Sequence, residues 1–164
     1  MTNTTNTTIR AAIPADIGAM LALMHELAEF EKLTHLFEAT EGNLHDALFG
    51  ARPSAEALVA EHDGHLVGYA VFFHNFSTFL SRRGLYLEDL YVQPALRGSG
   101  LGTAFLRRLA AIAVERRCGR FEWSVLDWNQ RAIDFYTKMG ATVLPDWRIV
   151  RVADDALLKL ADGA

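Results

Sequence analysis

Cysteine is nearly absent. Cys118 is the single one in 164 residues, so no disulfide can close within the chain, which fits a reducing, cytoplasmic setting. Long apolar runs are missing as well. No stretch approaches the roughly 18 consecutive apolar residues that cross a bilayer, and no membrane contact is expected. Positive charge is in deficit: 16 lysines and arginines face 20 aspartates and glutamates, for a formal charge of −4. That argues against nucleic acid as the partner and is compatible with a cationic small ligand. The six histidines show no His-x-x-x-His or other metal spacing, and no metal is expected. Met1–Thr8 is rich in threonine and asparagine and lacks the apolar core of a secretory signal. It reads as a disordered lead-in, and without a signal its two Asn-x-Thr triplets are composition only.

What remains is an ordinary globular chain. Its length favours one domain, residues 9–164, able to bury about 70% of its unfolded surface without staples. Ile9–Ile13 reads as a strand. Ile17, Met20, Leu21, Met24, Leu27 and Ala28 recur at helical spacing, predicting a helix to about Lys32. Thr40 is placed to cap a second helix ending at Gly50. Ala55–Glu61 and Leu66–Phe73 flank Asp63-Gly64, a hairpin signature. After the strand Leu85–Val92, the pattern predicts a helix from Gly102 to Arg117 ended by Gly119. A strand Phe121–Leu126 and a helix Gln130–Met139 follow. Late strands at Thr142–Leu144 and Arg148–Val152 and a last helical turn at Asp154–Leu160 complete the chain. Strands that first pair by hairpin and then alternate with helices imply a mixed α/β sheet covered on both faces.

The stretch Leu85–Gly102, LYLEDLYVQPALRGSGLG, organises the rest. An apolar strand carries two adjacent carboxylates, Glu88 and Asp89. Gln93-Pro94 ends it, and Gly98, Gly100 and Gly102 open directly into a helix. Backbone N–H groups and the positive end of a helix then face whatever lies in front, which suits a phosphate. A P-loop would need Lys-Ser/Thr, which is missing. A dinucleotide fingerprint would need a third glycine where Thr103 stands. A plain flexible turn is the competing reading.

Arg97-Gly98-Ser99-Gly100-Leu101-Gly102 resembles the pyrophosphate loop of the GNAT N-acetyltransferase superfamily, Arg/Gln-x-x-Gly-x-Gly/Ala. Glu26–Glu31, Leu87–Val92, Asp127-Trp128-Asn129, Ala132–Ala141 and Asp146-Trp147-Arg148 further resemble its diamine (spermidine/spermine) acetyltransferase branch. The resemblance covers roughly Ile9 to Leu160. It implies the GNAT fold, a mostly antiparallel sheet with a splayed strand pair that holds the cofactor. The implied activity is acetyl transfer from acetyl-CoA to a small-molecule amine within a ternary complex, by a protein that is typically a homodimer. A protein acetyltransferase and a non-catalytic CoA-binding module are the alternatives.

Acetyl transfer to an amine requires that the pyrophosphate be held, the thioester carbonyl polarised, the ammonium deprotonated and the thiolate protonated. The glycine loop, residues Arg97 to Gly102, answers the first demand. For the second, the resemblance implies the Leu90 N–H, with pantetheine lying along Leu90, Tyr91 and Val92 as an added strand. Strict alternation would put Glu88 and Asp89 on opposite faces; the family's strand bulge would bring both to the acceptor. Glu88 is implied as proton acceptor, and Glu31, Glu88 and Asp89 as the amine's surroundings. Equally, both carboxylates of the strand could merely be solvated or paired with arginines. Tyr136 is the implied proton donor to the CoA sulfur, although a tyrosine at such a position more often packs in a core. Asn129 is placed to cap the Gln130 helix and, by resemblance, to bond the pantetheine arm. Cys118 lies outside every matched motif, so no acyl-cysteine is expected.

Overall fold

The coordinates are a computed structural model that describes residues 7–163. The chain divides into two compact units, Met1–Ser124 and Val125–Ala164. In the first, β1 (Thr7–Ala11), β2 (Glu56–His62), β3 (His65–Ser77), β4 (Arg82–Val92) and β5 (Phe121–Trp123) form one sheet in chain order. The first four run antiparallel and β5 lies parallel to β4. Helices α1 (Ile17–Phe30), α2 (Glu41–Phe49) and α3 (Leu101–Glu115) complete this unit. The expected mixed, mostly antiparallel fold is what the chain forms. Of the expected lead-in, residues 1–6 lie outside the described residues; Thr7 and Thr8 are the first residues of β1, opposite His62 and Glu61. No described helix is long and apolar enough to cross a membrane.

Alternation along the strands sends side chains to two covered faces. Ala57, Val59, Tyr69, Val71 and Tyr91 pack with Ile17, Met20, Leu23 and Met24 of α1 and Leu48 of α2. Leu23 rather than the expected Leu21 is fully in this core. The Asp63-Gly64 turn joins β2 and β3 as predicted, and Thr40 Oγ1 accepts from the Asn43 N–H at 3.2 Å to cap α2. The opposite face carries Leu58, Ala70, Phe72, Leu87 and Leu90, under the apolar stripe Phe105, Leu106, Leu109, Ile112 and Ala113 of α3. A Cβ on Gly68 would sit 2.8 Å from the Tyr91 carbonyl oxygen and 3.2 Å from the Phe105 ring, so the close approach of α3 to β3 requires glycine there. Met20, Val59, Tyr69, Phe105 and Leu109 have no exposed surface; each full burial contributes about 1.5–3 kcal/mol.

One ion pair is sealed at the sheet's first edge. Asp16, 7% exposed, accepts both guanidinium branches of Arg10 at 2.7 and 3.0 Å and the Ile13 N–H at 2.8 Å. The Arg10 bonds hold its pKa below the usual carboxylate range, against the effect of burial.

Three expectations fail. α3 stops at Glu115, and Arg117 (φ 58°), not Gly119, takes the left-handed turn behind it. β5 stops at Trp123 rather than Leu126, because its ladder with β4 ends at Leu87–Trp123. Thr142–Leu144 and Arg148–Val152 are not strands. The second unit contains α4 (Gln130–Lys138) and α5 (Asp154–Ala161) and no strand among its described residues, and a strand persists only in a ladder.

Candidate active site

The centre of the site is a defect in β4. Val71 pairs with Asp89, but the next residue, Phe72, pairs with Leu87, which leaves Glu88 as the extra residue of a β-bulge. The bulge swaps the faces. Leu87 shares a face with Phe72, while Asp89 and Tyr91 share the face of Tyr69 and Val71. Glu88 is exposed and Asp89 half-buried beside it.

The same defect opens a strand edge. β5 pairs with Leu85, Tyr86 and Leu87 only, so its ladder stops at the residue before the bulge. Beyond it the Gln93 N–H donates to the Val67 carbonyl oxygen at 2.9 Å. That bond sets the phase of the antiparallel ladder. Tyr91 and Asp89 also turn their N–H toward β3, while Leu90 and Val92 turn theirs away, toward the side where β5 has ended. The Val92 carbonyl on that side accepts from Arg97 Nε at 3.0 Å.

The acidic face is built from β4 and α1. Tyr69 donates to Asp89 Oδ2 at 3.2 Å, and Tyr91 donates to Glu26 Oε2 at 2.8 Å. Gln93 Nε2 also donates to Glu26, at 3.1 Å. Burial pushes the Asp89 carboxyl up to about 6, helped by the neighbouring charges of Glu88 and Glu31 and opposed by the Tyr69 hydrogen bond. Burial likewise raises Glu31, which closes the C-terminal end of α1. Burial and Glu26 push Tyr91 up to about 12. Of the three α1-end carboxylates, Glu29 is the one turned elsewhere, toward His25 at 3.4 Å.

The glycine loop follows without a break. Gly98 and Gly100 have φ of 82° and 89°, and a Cβ on either would meet nothing within 4 Å. Gly100 caps α3 with no side-chain hydrogen bond. Among the described hydrogen bonds the N–H groups of Gly98, Gly100, Leu101 and Gly102 find no acceptor, so a cluster of donors and a helix N-terminus face open space. That cradle fits a pyrophosphate. Two loop side chains turn inward instead. Ser99 Oγ donates to the Leu96 carbonyl at 2.6 Å. The Arg97 guanidinium lies over the Phe30 and Tyr91 rings, 5.0 and 5.6 Å from their centroids, and so anchors the loop to the end of α1.

The first unit thus gathers Glu31, Glu88, Asp89, Leu90, Tyr91, Val92 and the residues Arg97 to Gly102. Asn129 and Tyr136 belong to the second unit. Asn129 Oδ1 accepts from the Ala132 N–H at 3.3 Å and caps α4 as expected. Tyr136 is half-buried on that helix, its ring 5.4 Å from Phe135. Sequence reasoning overlooked Tyr69 and Gln93. Periodicity does not separate a buried tyrosine from a phenylalanine, and Gln93 reads simply as the residue before a proline.

The sequence model described as the acetyltransferase (GNAT) family matches residues 20–141. A thialysine N-epsilon-acetyltransferase of Mus musculus is 38% identical over 95% of this chain and 98% of its own length. An L-ornithine N5-acetyltransferase of Arabidopsis thaliana is 34% identical over 91% of this chain and 85% of its own. Among solved structures, an integron cassette protein from the mobile metagenome of V. cholerae superposes with a TM-score of 0.80 at 24% identity, over 94% of this chain and 97% of that one.

Proposed function

The chain belongs to the acetyltransferase (GNAT) family, and on that footing we propose that it moves the acetyl group of acetyl-CoA onto a primary amine of a small diamine, polyamine or lysine-like molecule. The observation that carries this reading is the bulge at Glu88. It lays an open strand edge beside a carboxylate-rich face and leads through Gln93 into the phosphate cradle. Two of the relatives that match along most of their length are named for ornithine and thialysine, each with an amine at the end of a short chain.

Acetyl-CoA supplies an activated acetyl thioester. The cradle from Gly98 to Gly102 holds its pyrophosphate through backbone N–H groups. Leu90 offers its outward N–H to the thioester carbonyl oxygen, where negative charge develops in the transition state. Glu31 and Asp89 hold the acceptor as an ammonium through opposite charge. Glu88 takes the proton from the amine, directly or through one water, because an alkyl ammonium near pKa 10 is otherwise almost wholly unreactive at neutral pH. The amine nitrogen then bonds to the carbonyl carbon as the carbon–sulfur bond breaks, the Tyr136 hydroxyl gives its proton to the departing sulfur, and the proton that the nitrogen sheds on becoming an amide passes to solvent, which reprotonates Tyr136. Transfer is direct, within a ternary complex. The working form is a cytoplasmic homodimer, in keeping with the lone cysteine and the diamine-acetyltransferase resemblance.

A thiol-release assay over diamines, polyamines, lysine analogues and N-terminal peptides tests the reading. Fastest turnover is expected with molecules carrying two or more amines. Superiority of neutral or acidic amino compounds, or of peptides, would refute it.

A further inference from the structure

Tyr69 and Tyr91 stand opposite each other on the sheet face that α1 covers, ring centroids 6.4 Å apart, and each donates to a different carboxylate. Tyr69 has no exposed surface and is packed among the residues of the α1 core. A phenol in such a place is costly unless its hydroxyl is satisfied. Phenylalanine would fill the same space without that demand, so packing alone does not call for the hydroxyl. Its partner is Asp89 Oδ2, reached diagonally, since Tyr69 lies opposite Tyr91 and Asp89 opposite Val71. Asp89 occupies that position because the bulge at Glu88 takes it off the face of Leu87. No other described hydrogen bond engages the Asp89 side chain.

We propose that Tyr69 is a positioning residue for the amine acceptor: its buried hydroxyl pins one oxygen of Asp89, fixing the other oxygen to receive the acceptor's N–H. This rests on the acetyltransferase reading above. The groups facing Asp89 are Tyr69 from β3, Glu88 beside it on the bulge and Glu31 at the end of α1, with Tyr91, Glu26 and Arg97 further along the same face. Glu88 and Glu31 both oppose ionisation of Asp89, and the Tyr69 hydrogen bond favours it. Tyr69 therefore favours the ionised form of Asp89 as well as holding it in place.

Tyr69→Phe tests this. The phenyl ring keeps the packing, and the variant should bind acetyl-CoA as the wild type does. KM for a diamine should rise roughly tenfold with a smaller change in kcat, the loss expected for a hydrogen bond to a charged group. The acid limb of kcat/KM should move about one pH unit toward alkaline pH, because the group whose ionised form is required has lost the bond that favoured it. Carboxyl 13C resonances should show Asp89 itself titrating at the higher pH, independently of turnover. In an Asp89→Asn background, Tyr69→Phe should change KM no further. An active, folded Tyr69→Phe protein with the wild-type limb, KM and Asp89 titration overturns the inference alone. A wild type inert toward every amine overturns the functional reading, and this inference with it.

Discussion

The Tyr91 hydroxyl donates to Glu26 at 2.8 Å and so ties the C-terminal end of β4 to α1. Gln93 grips the same carboxylate, and the Arg97 guanidinium rests on the Tyr91 ring. One tyrosine therefore joins the acidic face to the root of the glycine loop. Tyr91→Phe removes the bond and keeps the ring. Stability should fall by about 1–2 kcal/mol, since a hydrogen bond to a charged acceptor is lost while Gln93 still satisfies Glu26. Thermal denaturation should show this as a drop of roughly 2–8 °C, together with a severalfold rise in KM for the amine.

The cradle is best tested where the backbone is not strained. Gly100 needs a left-handed φ, so any side chain there distorts the loop before it reaches a phosphate. Gly102 lies in the first turn of α3 without a positive φ. Gly102→Val should stay folded and lose at least about tenfold in acetyl-CoA affinity by calorimetry, because its side chain enters the path of the phosphates. Unchanged affinity would remove the loop from the cofactor site.

Tyr136→Phe deletes one hydroxyl on α4. Turnover should fall about 10²-fold or more with acetyl-CoA affinity retained, the pattern of a lost general acid. Turnover within about threefold of wild type would make Tyr136 a packing residue.

Glu88 and Glu31 should separate kinetically. Glu88 is the exposed bulge residue, and Glu31 is a partly sequestered carboxylate with a raised pKa at the end of α1. Glu88→Gln should cut kcat by about 10²-fold, as expected for a general base. Glu31→Gln should raise KM for a diamine more than it lowers kcat, as loss of uniform binding does. Steady-state kinetics in which the two variants behave alike would refute the division of roles.

The Arg10–Asp16 pair bears on stability and not on the site. Its carboxyl is held low by Arg10, so the stabilisation is full above the unfolded pKa near 4 and is lost as pH falls through the lower folded value. Asp16→Asn should cost about 2 kcal/mol at neutral pH, roughly 5 °C in Tm, with KM unchanged. Circular-dichroism melts should show the gap between the two proteins closing below about pH 4.

Most of the first unit was legible in the sequence because its signals are local. The Asp63-Gly64 turn, the Thr40 cap and the stripe Phe105, Leu109, Ile112, like the Asn129 cap in the second unit, each depend on residues a few positions apart. The bulge was harder. LYLEDLYV reads as one uninterrupted strand, and its clue is spacing: Leu85, Leu87 and Leu90 share a face only if one residue between 87 and 90 is extra. The length of β5 depends on where its partner ladder stops, which no property of Phe121–Leu126 records. Arg148–Val152 has strand composition, yet a ladder needs a second strand, and composition does not supply one. Tyr69 was invisible as a site residue because its hydroxyl matters only through a register partner on another strand.

The brevity of β5 has a cost outside catalysis. Where its ladder ends, Leu90 and Val92 leave part of β4 without a described strand partner, and bare strand edges template foreign strands and seed aggregation. Two guards stand there: the bulge, which twists the edge out of register, and the charge of Glu88 at its apex. Glu88→Gln, the variant that best isolates the chemistry, therefore also disarms the gatekeeper. In concentrated stocks it should self-associate sooner than wild type, visible as rising light scatter, and saturating acetyl-CoA should suppress it by occupying the vacant edge.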